Sequence, residues 1–397
     1  MFAKTSVPLA ALTAGLLMST SAFAADAEAF AERLKAVAGK QNFTLTYDSA
    51  VSEGDNVILQ GVSGAPTGES AEEIGDVTFE NVTGSTADGW RVERIPVQDI
   101  DVTEDGMRTT ISGISIEGVE LLPEGARSDM PAVKQVSELY FERAGVESVT
   151  VEKDGQQVFD LSGVKVENTI ADDGTFSSDM DLGTFNVDFT TADPEAAKTM
   201  TELGYETLSG TIKGSSSWDP TSGSIDLDPF EIDVENVGNL SFTFDMSGYT
   251  PAFIQSMQQI SQQMAQNPEG NQNSGMAMMG LMSQLSIGSA DLTFTDDSLT
   301  NKLLDYYAGQ QGQTREQLVQ MISGMAPMML AQLQNPEFQQ KVNDAVSSFL
   351  QDPQSISISI DPESPVPAMQ IVGAAMGAPQ TLPQVLSLDV TANEADE

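Results

Sequence analysis

Residues 149–189, VTVEKDGQQVFDLSGVKVENTIADDGTFSSDMDLGTFNVDF, and residues 207–247, TLSGTIKGSSSWDPTSGSIDLDPFEIDVENVGNLSFTFDMS, decide the fold. Apolar and polar residues alternate through both blocks, and Asp-Gly, Ser-Gly and Asp-Pro pairs interrupt them at intervals of roughly 8–12 residues. A period of two with turn residues at that spacing predicts consecutive antiparallel strands joined by short connections, each strand with one apolar face.

Working outward, the same pattern begins near residue 42. Strands are expected over 43–47 and 57–62 around a Gly54-Asp55-Asn56 turn, then over 76–82, 90–97, 100–103 and 108–122. Four segments share a loose motif, ILQGVSG, TISGISIEG, DLSGVKVEN and TLSGTIKGS; their internal glycines predict bulges or bends in a strongly twisted sheet. Helical spacing interrupts the strands at 26–37, 131–142 and 193–203, the last with Asp193 as a cap before Pro194.

After Tyr249 the character changes. Residues 251–265 carry Phe253, Ile254, Met257, Ile260 and Met264 on one helical stripe, opposite an uncharged face of glutamine and serine. Residues 267–274 read as a polar loop and 276–285 as a second apolar segment. Further helices are expected at 298–307, 314–329, 335–350 and 367–377, with returning strands at 287–295, 355–360 and 386–391. Thr314 and Gln317 have the spacing of a capping box. The expected architecture is α+β: a long twisted antiparallel meander with helices packed on one face, mostly from the C-terminal third. By composition the chain divides into a leader (1–24), a β-meander with an N-terminal helix (25–250) and a Met-rich helical portion with returning strands (251–397) that is expected to pack on the same sheet.

The leader has Lys4, an apolar run over 7–18 and a small-x-small site at Ala22-Phe23-Ala24, the pattern of a secretory signal peptide cleaved after Ala24. No later stretch has the length and apolarity of a membrane-spanning helix. The expected address is the bacterial periplasm. Cleavage would remove one lysine and no acid, taking the net charge from −42 to −43. So negative a surface repels phosphate backbones, which argues against nucleic acid as a partner.

Composition also limits the chemistry. With no histidine and no cysteine, Ser-His-Asp and Cys-His catalysis, thiol chemistry and His- or Cys-ligated metals are excluded. No Gly-rich phosphate loop is present. A two-carboxylate hydrolase remains compatible with residue type, although Trp90 and Trp218 are few for a sugar cleft. Calcium could find oxygen ligands among Asp172, Asp173, Asp179 and Asp181 around Gly174, but their spacing is not that of a helix–loop–helix site, and Asp172-Asp173-Gly174 reads more economically as a hairpin turn. Asp226 and Asp228 share one face of a strand and are expected to meet water. No catalytic, cofactor-binding or metal-binding residue is assigned, and no cofactor is expected.

Of the 17 methionines beyond residue 24, ten fall between Met257 and Met329. Such density fits either a helical layer packed on the sheet with methionine filling gaps, or a groove that accepts varied apolar ligands.

The strands DLSGVKVEN and TLSGTIKGSSSWD, the leader, and the strand-to-helix run ADLTFTDDSLTNKLLDYYAGQQGQTREQLVQMI resemble exported β-rich envelope proteins of the AsmA/YdgA-like type. That resemblance implies a long sheet with an apolar inner face and a part in envelope lipid handling. The chain is expected to depart from it in lacking the usual N-terminal membrane anchor, the leader being read as cleaved, and it differs in its Met-rich helical portion. The expected function is a non-enzymatic envelope protein that binds or shelters a hydrophobic ligand such as lipid. A structural or protein-docking module of the envelope and a carboxylate-dependent hydrolase are the alternatives.

Overall fold

The computed structural model describes residues 25–125, 131–191, 194–266, 271–331 and 334–394. The leader and Asp193 lie outside the described residues. Two compact units form: residues up to Ile95 with Glu120–Glu124, and Pro96–Val119 with the chain from Gly125 onward.

In the first unit, Asp26 accepts a hydrogen bond from the Ala29 amide (3.1 Å) and starts helix α1 (Ala27–Lys40). Its buried face, led by Phe30 and Val37, meets Phe79 and Trp90 edge-on, at 5.0 and 5.8 Å between ring centroids. The expected hairpin from 43–47 to 57–62 is divided. Strand β1 (Phe43–Thr46) pairs with the far end of β3 (Asn56–Pro66), while β2 (Ser49–Glu53), which the alternation does not announce, pairs with its near end. Gly61 explains the break: it has φ +60°, and a Cβ there would lie 2.4 Å from the Asp48 carboxylate. Strands β4 (Glu72–Phe79), β5 (Thr83–Ser85) and β6 (Gly89–Pro96) follow.

The second unit holds the meander. Strands β7 (Ile100–Glu104) and β8 (Met107–Ser112) form a hairpin with Asp105 and Gly106 both at positive φ, the type I′ geometry that suits strand twist. The run 108–122 is not one strand: Gly113, at φ +64°, separates β8 from β9 (Ser115–Leu121), and both pair with β11 (Arg143–Lys153). From there β12 (Gln156–Ile170), β13 (Phe176–Asp188), β14 (Thr207–Asp219), β15 (Ser224–Val234) and β16 (Gly238–Ser247) pair in chain order. The returning strands β17 (Ser286–Asp296), β18 (Ser355–Ile360) and β20 (Leu388–Ala392) extend the same antiparallel sheet. The short β19 (Val366–Pro367) pairs with the start of β17.

The helix expected over 131–142 is short. Helix α2 (Ala132–Ser137) ends at Glu138, φ +56°, and Leu139–Tyr140 leaves as strand β10. Tertiary bonding outweighs helical spacing here. Buried Tyr140 donates its hydroxyl to the Asn168 carbonyl (2.9 Å), while Asn168, itself buried, donates its side-chain amide to the Phe141 carbonyl (3.1 Å) and its backbone amide to the Glu142 carbonyl (2.7 Å).

Helix α3 (Pro194–Leu203) lies between β13 and β14. Helices α4 (Pro251–Gln266) and α5 (Asn271–Met282) follow β16; α5 starts earlier than its apolar residues indicate, so the part of the expected loop that falls within the described residues, 271–274, is helical. Phe253, Leu281, Leu285 and Ala368 form their common core, joining them to α9 (Ala368–Gly377). Helices α6 (Leu299–Gln311), α7 (Arg315–Met329) and α8 (Pro336–Gln351) precede β18, and a short α10 (Leu382–Val385) precedes β20. Thr314 and Gln317 bond reciprocally at 3.0 and 3.4 Å, the expected capping box. Asn335 caps α8 through the Phe338 amide (3.0 Å). Composition changes near residue 250, yet the strands on both sides of that point belong to one sheet.

Removing the buried amide of Asn168 leaves the Phe141 carbonyl without its donor. Asn168→Ala should therefore lower unfolding free energy by about 1–3 kcal/mol, measured as a shift in the urea midpoint; an unchanged midpoint would show that the clasp contributes nothing.

Candidate functional site

The register of the sheet converts the period-two alternation into whole rows. Ala144, Val166, Met180, Gly214, Phe230, Phe242, Leu292, Ile358 and Val390 are successive cross-strand partners from β11 to β20. Toward one set of strand ends, Ile170, Phe176, Trp218, Ile225, Met246, Ile287 and Val366 form a second row. Toward the other, Ile212, Ile232, Leu240, Phe294, Ile356 and Ala392 form a third. Side chains one residue over face the opposite way: Lys165, Asp181, Lys213, Glu231, Ser241, Thr293, Ser357 and Thr391 make a row without one apolar member.

This apolar face is not a filled core. Within β11 to β18 the fully buried residues are Asn168 and three glycines; every apolar side chain there is half-buried or exposed. Leu292 and Ile358, direct partners in the middle row, are 41% and 47% exposed, and Leu240 is 37% exposed. Helices gather at the margins. At one set of strand ends, Met246 and Tyr249 pack on the Phe253 core of α4 and α5. Trp218 donates its indole N–H to the Tyr249 carbonyl (2.8 Å). At the other, the Tyr205 hydroxyl shares a 2.9 Å hydrogen bond with Ser298, and Lys302 of α6 lies 3.5 Å above the Tyr205 ring. Helix α8 covers the last strands, with Phe338 and Ala345 against Val390 and Phe349 edge-on to Phe294. Between these borders lies an open apolar floor.

Four consecutive pairings, from β13/β14 to β16/β17, contain register shifts. Each such bulge bends its strand and increases twist; among the glycines of the shared motif, Gly214 lies at one of these shifts. Gly214 has a second role: a Cβ there would come within 2.9 Å of the Phe230 ring, so the glycine lets that ring lie against the floor.

The acidic residues singled out in the sequence fall elsewhere. Asp173 accepts from the Thr175 amide (3.0 Å) within the β12–β13 connection, as a turn aspartate does. Asp179 and Asp181 stand exposed on the hydrophilic face of β13, and Asp181 bonds the Gly183 amide (3.0 Å). Asp226 and Asp228 are exposed on β15. Among the described residues no three acids converge as a metal site. Among the described residues, hollows on the hydrophilic side include one of about 380 Å³ beside Asp160, Asn186 and Glu235 and one of about 410 Å³ beside Lys165, Asp181 and Lys213.

The carboxyls of Asp173, Asp188 and Asp219 are all held below their ordinary range by local hydrogen bonds, not raised as a general acid requires. For Asp219 the main cause is the Ser222 hydroxyl (2.6 Å), followed by the Thr221 amide (2.8 Å). Because its folded value is depressed, the turn's contribution is present above the ordinary carboxyl value of 3.8 and is lost as pH falls through the folded value.

Two outcomes follow. The stability difference between the parent and Asp219→Asn should be greatest above about pH 5 and shrink as the pH falls below that ordinary value, as followed by urea unfolding across a pH series. Replacing both Leu292 and Ile358 with glutamine should lower unfolding free energy by about 2–3 kcal/mol, because a little over half of each side chain is buried and full burial of such a side chain is worth about 1.5–3 kcal/mol. The same variant should bind an apolar fluorescent dye several-fold less well.

A protein-family model described only as "Uncharacterized protein" matches residues 231–393, the span from mid-β15 through β20. No curated protein matches the chain.

Proposed function

We propose that this protein is a non-enzymatic, exported envelope protein that binds or shelters a hydrophobic ligand of the lipid class on the apolar face of its large sheet. The observation that carries this reading is the Leu292–Ile358 pair, exposed at 41% and 47% within the central apolar row, on strands that each have a neighbour on both sides. Apolar side chains in the interior of a sheet are normally covered by a second layer. Here the helices stand along the borders, and a covering of flexible hydrocarbon would complete the layer. The absence of histidine and cysteine from the chain, and the hydrogen-bonded, turn-forming roles of Asp173, Asp188 and Asp219, favour binding over catalysis. The leader read in residues 1–24 supports an envelope address.

A protein-docking role is the second reading, favoured by the β7–β8 hairpin. All of β7 is exposed, including Ile100 at 39% and Val102 at 52%, so a partner strand could pair along it.

Protein purified without detergent should yield acyl lipid on organic extraction and mass spectrometry. Leu292→Gln with Ile358→Gln should lower the recovered amount several-fold while the protein stays folded. A clean extract, together with failure to take up a fluorescent fatty acid supplied in cyclodextrin, would sink the ligand reading. Loss of a co-purifying protein from a Val102→Lys variant would favour the second.

A further inference from the structure

We infer that the outer sides of α4, α5 and α9 form a docking surface for an uncharged lipid surface, from which the apolar floor is loaded; the loading part rests on the ligand reading above. The first observation is how charge is distributed. In a chain of net charge −42, residues 246–290 contain a single charged side chain, Glu269, and residues 364–388 contain none. These two segments supply α4, α5 and α9, which share the core around Phe253.

The second observation is what those helices leave uncovered. On α5, Met276 and Met279 are 62% and 54% exposed and lie three residues apart, on one side of the helix. On α9, Val372 and Met376 are 41% and 84% exposed and lie four apart. Methionine is flexible and polarisable, well suited to a fluid apolar surface. The third observation is continuity. Met246, in the apolar row nearest these helices, packs on their common core, so the helices that carry the patch stand directly at the edge of the floor.

Charge selects the occupant. An anionic bilayer repels so acidic a protein, and the patch has no charge with which to attract a cationic partner. A surface of zwitterionic headgroups carries no net charge, and its acyl region accepts exposed thioether side chains. Lipid taken up there would pass from the helix border onto the floor.

Co-sedimentation with phosphatidylcholine vesicles tests this. The parent protein should bind. Met276→Glu with Met279→Glu, and separately the single Met376→Glu, should each weaken binding at least fivefold. Met376 is so exposed that its replacement leaves the fold intact, which circular dichroism would check. Adding phosphatidylglycerol to the vesicles should weaken binding at low salt, and added salt should restore it. Absence of binding to phosphatidylcholine at every salt concentration, or equal binding by the variants, overturns the proposal. So does a variant-dependent change in self-association without vesicle binding, which would assign the patch to a second copy of the chain.

Loading separates this inference from the ligand reading. The variants should take up a fluorescent fatty acid from cyclodextrin as fast as the parent, yet several-fold more slowly from vesicles. Equal rates from vesicles would refute the loading role. Uptake from neither source, with vesicle binding retained, would refute the ligand reading and leave docking standing.

Discussion

A long antiparallel sheet with one apolar face must hide that face from water, and the chain brings too little helix to the middle of it. The rest of the structure follows from that shortfall. Fully burying a side chain such as leucine or isoleucine is worth about 1.5–3 kcal/mol. With Leu292 and Ile358 41% and 47% exposed, a substantial part of that stabilisation is not realised within the chain. Beside the large sheet of the second unit, buried cores lie at its margins, where α4, α5 and α9 enclose Phe253 and where α8 encloses Phe338 and Val390. Dry packing is thereby concentrated at the borders, and the rows between them stay partly exposed.

The sheet is also kept irregular. Register shifts recur in four neighbouring pairings, and Gly214 yields its side-chain space to Phe230. Bulged, strongly twisted strands are poorer templates for edge-to-edge pairing than flat ones. That matters for a protein whose apolar face is incompletely covered, since a flat sheet of the same composition would be prone to stack on its own copies. The acids contribute as well. They stand on the hydrophilic face and in the turns, where net repulsion keeps copies apart, while α4, α5 and α9 contain none.

The alternation in residues 149–247, the Asp-Gly turns, the capping box at Thr314 and Gln317, and the apolar stripe of α4 were all legible in the sequence, because each is a local pattern with a local cause. The misreadings have tertiary causes. Leu139 and Tyr140 sit at helical spacing from Val133 and Val136, yet Tyr140 is drawn into a strand by its bond to the Asn168 carbonyl, 28 residues away. The separate strand β2 was hidden because its boundary depends on Asp48 filling the space beside Gly61.

By itself the sequence determined that the chain builds strands with one apolar side, that helices arrive late, and that histidine and thiol chemistry are absent. Those conclusions need only periodicity and composition. Only the tertiary structure decided whether the apolar side is filled or open. That depends on register, which places Leu292 opposite Ile358 and lines up eight apolar side chains and Gly214 across nine strands, and on where the helices come to rest. Register and helix placement are set by contacts between residues far apart in the chain, and no window of sequence contains both partners.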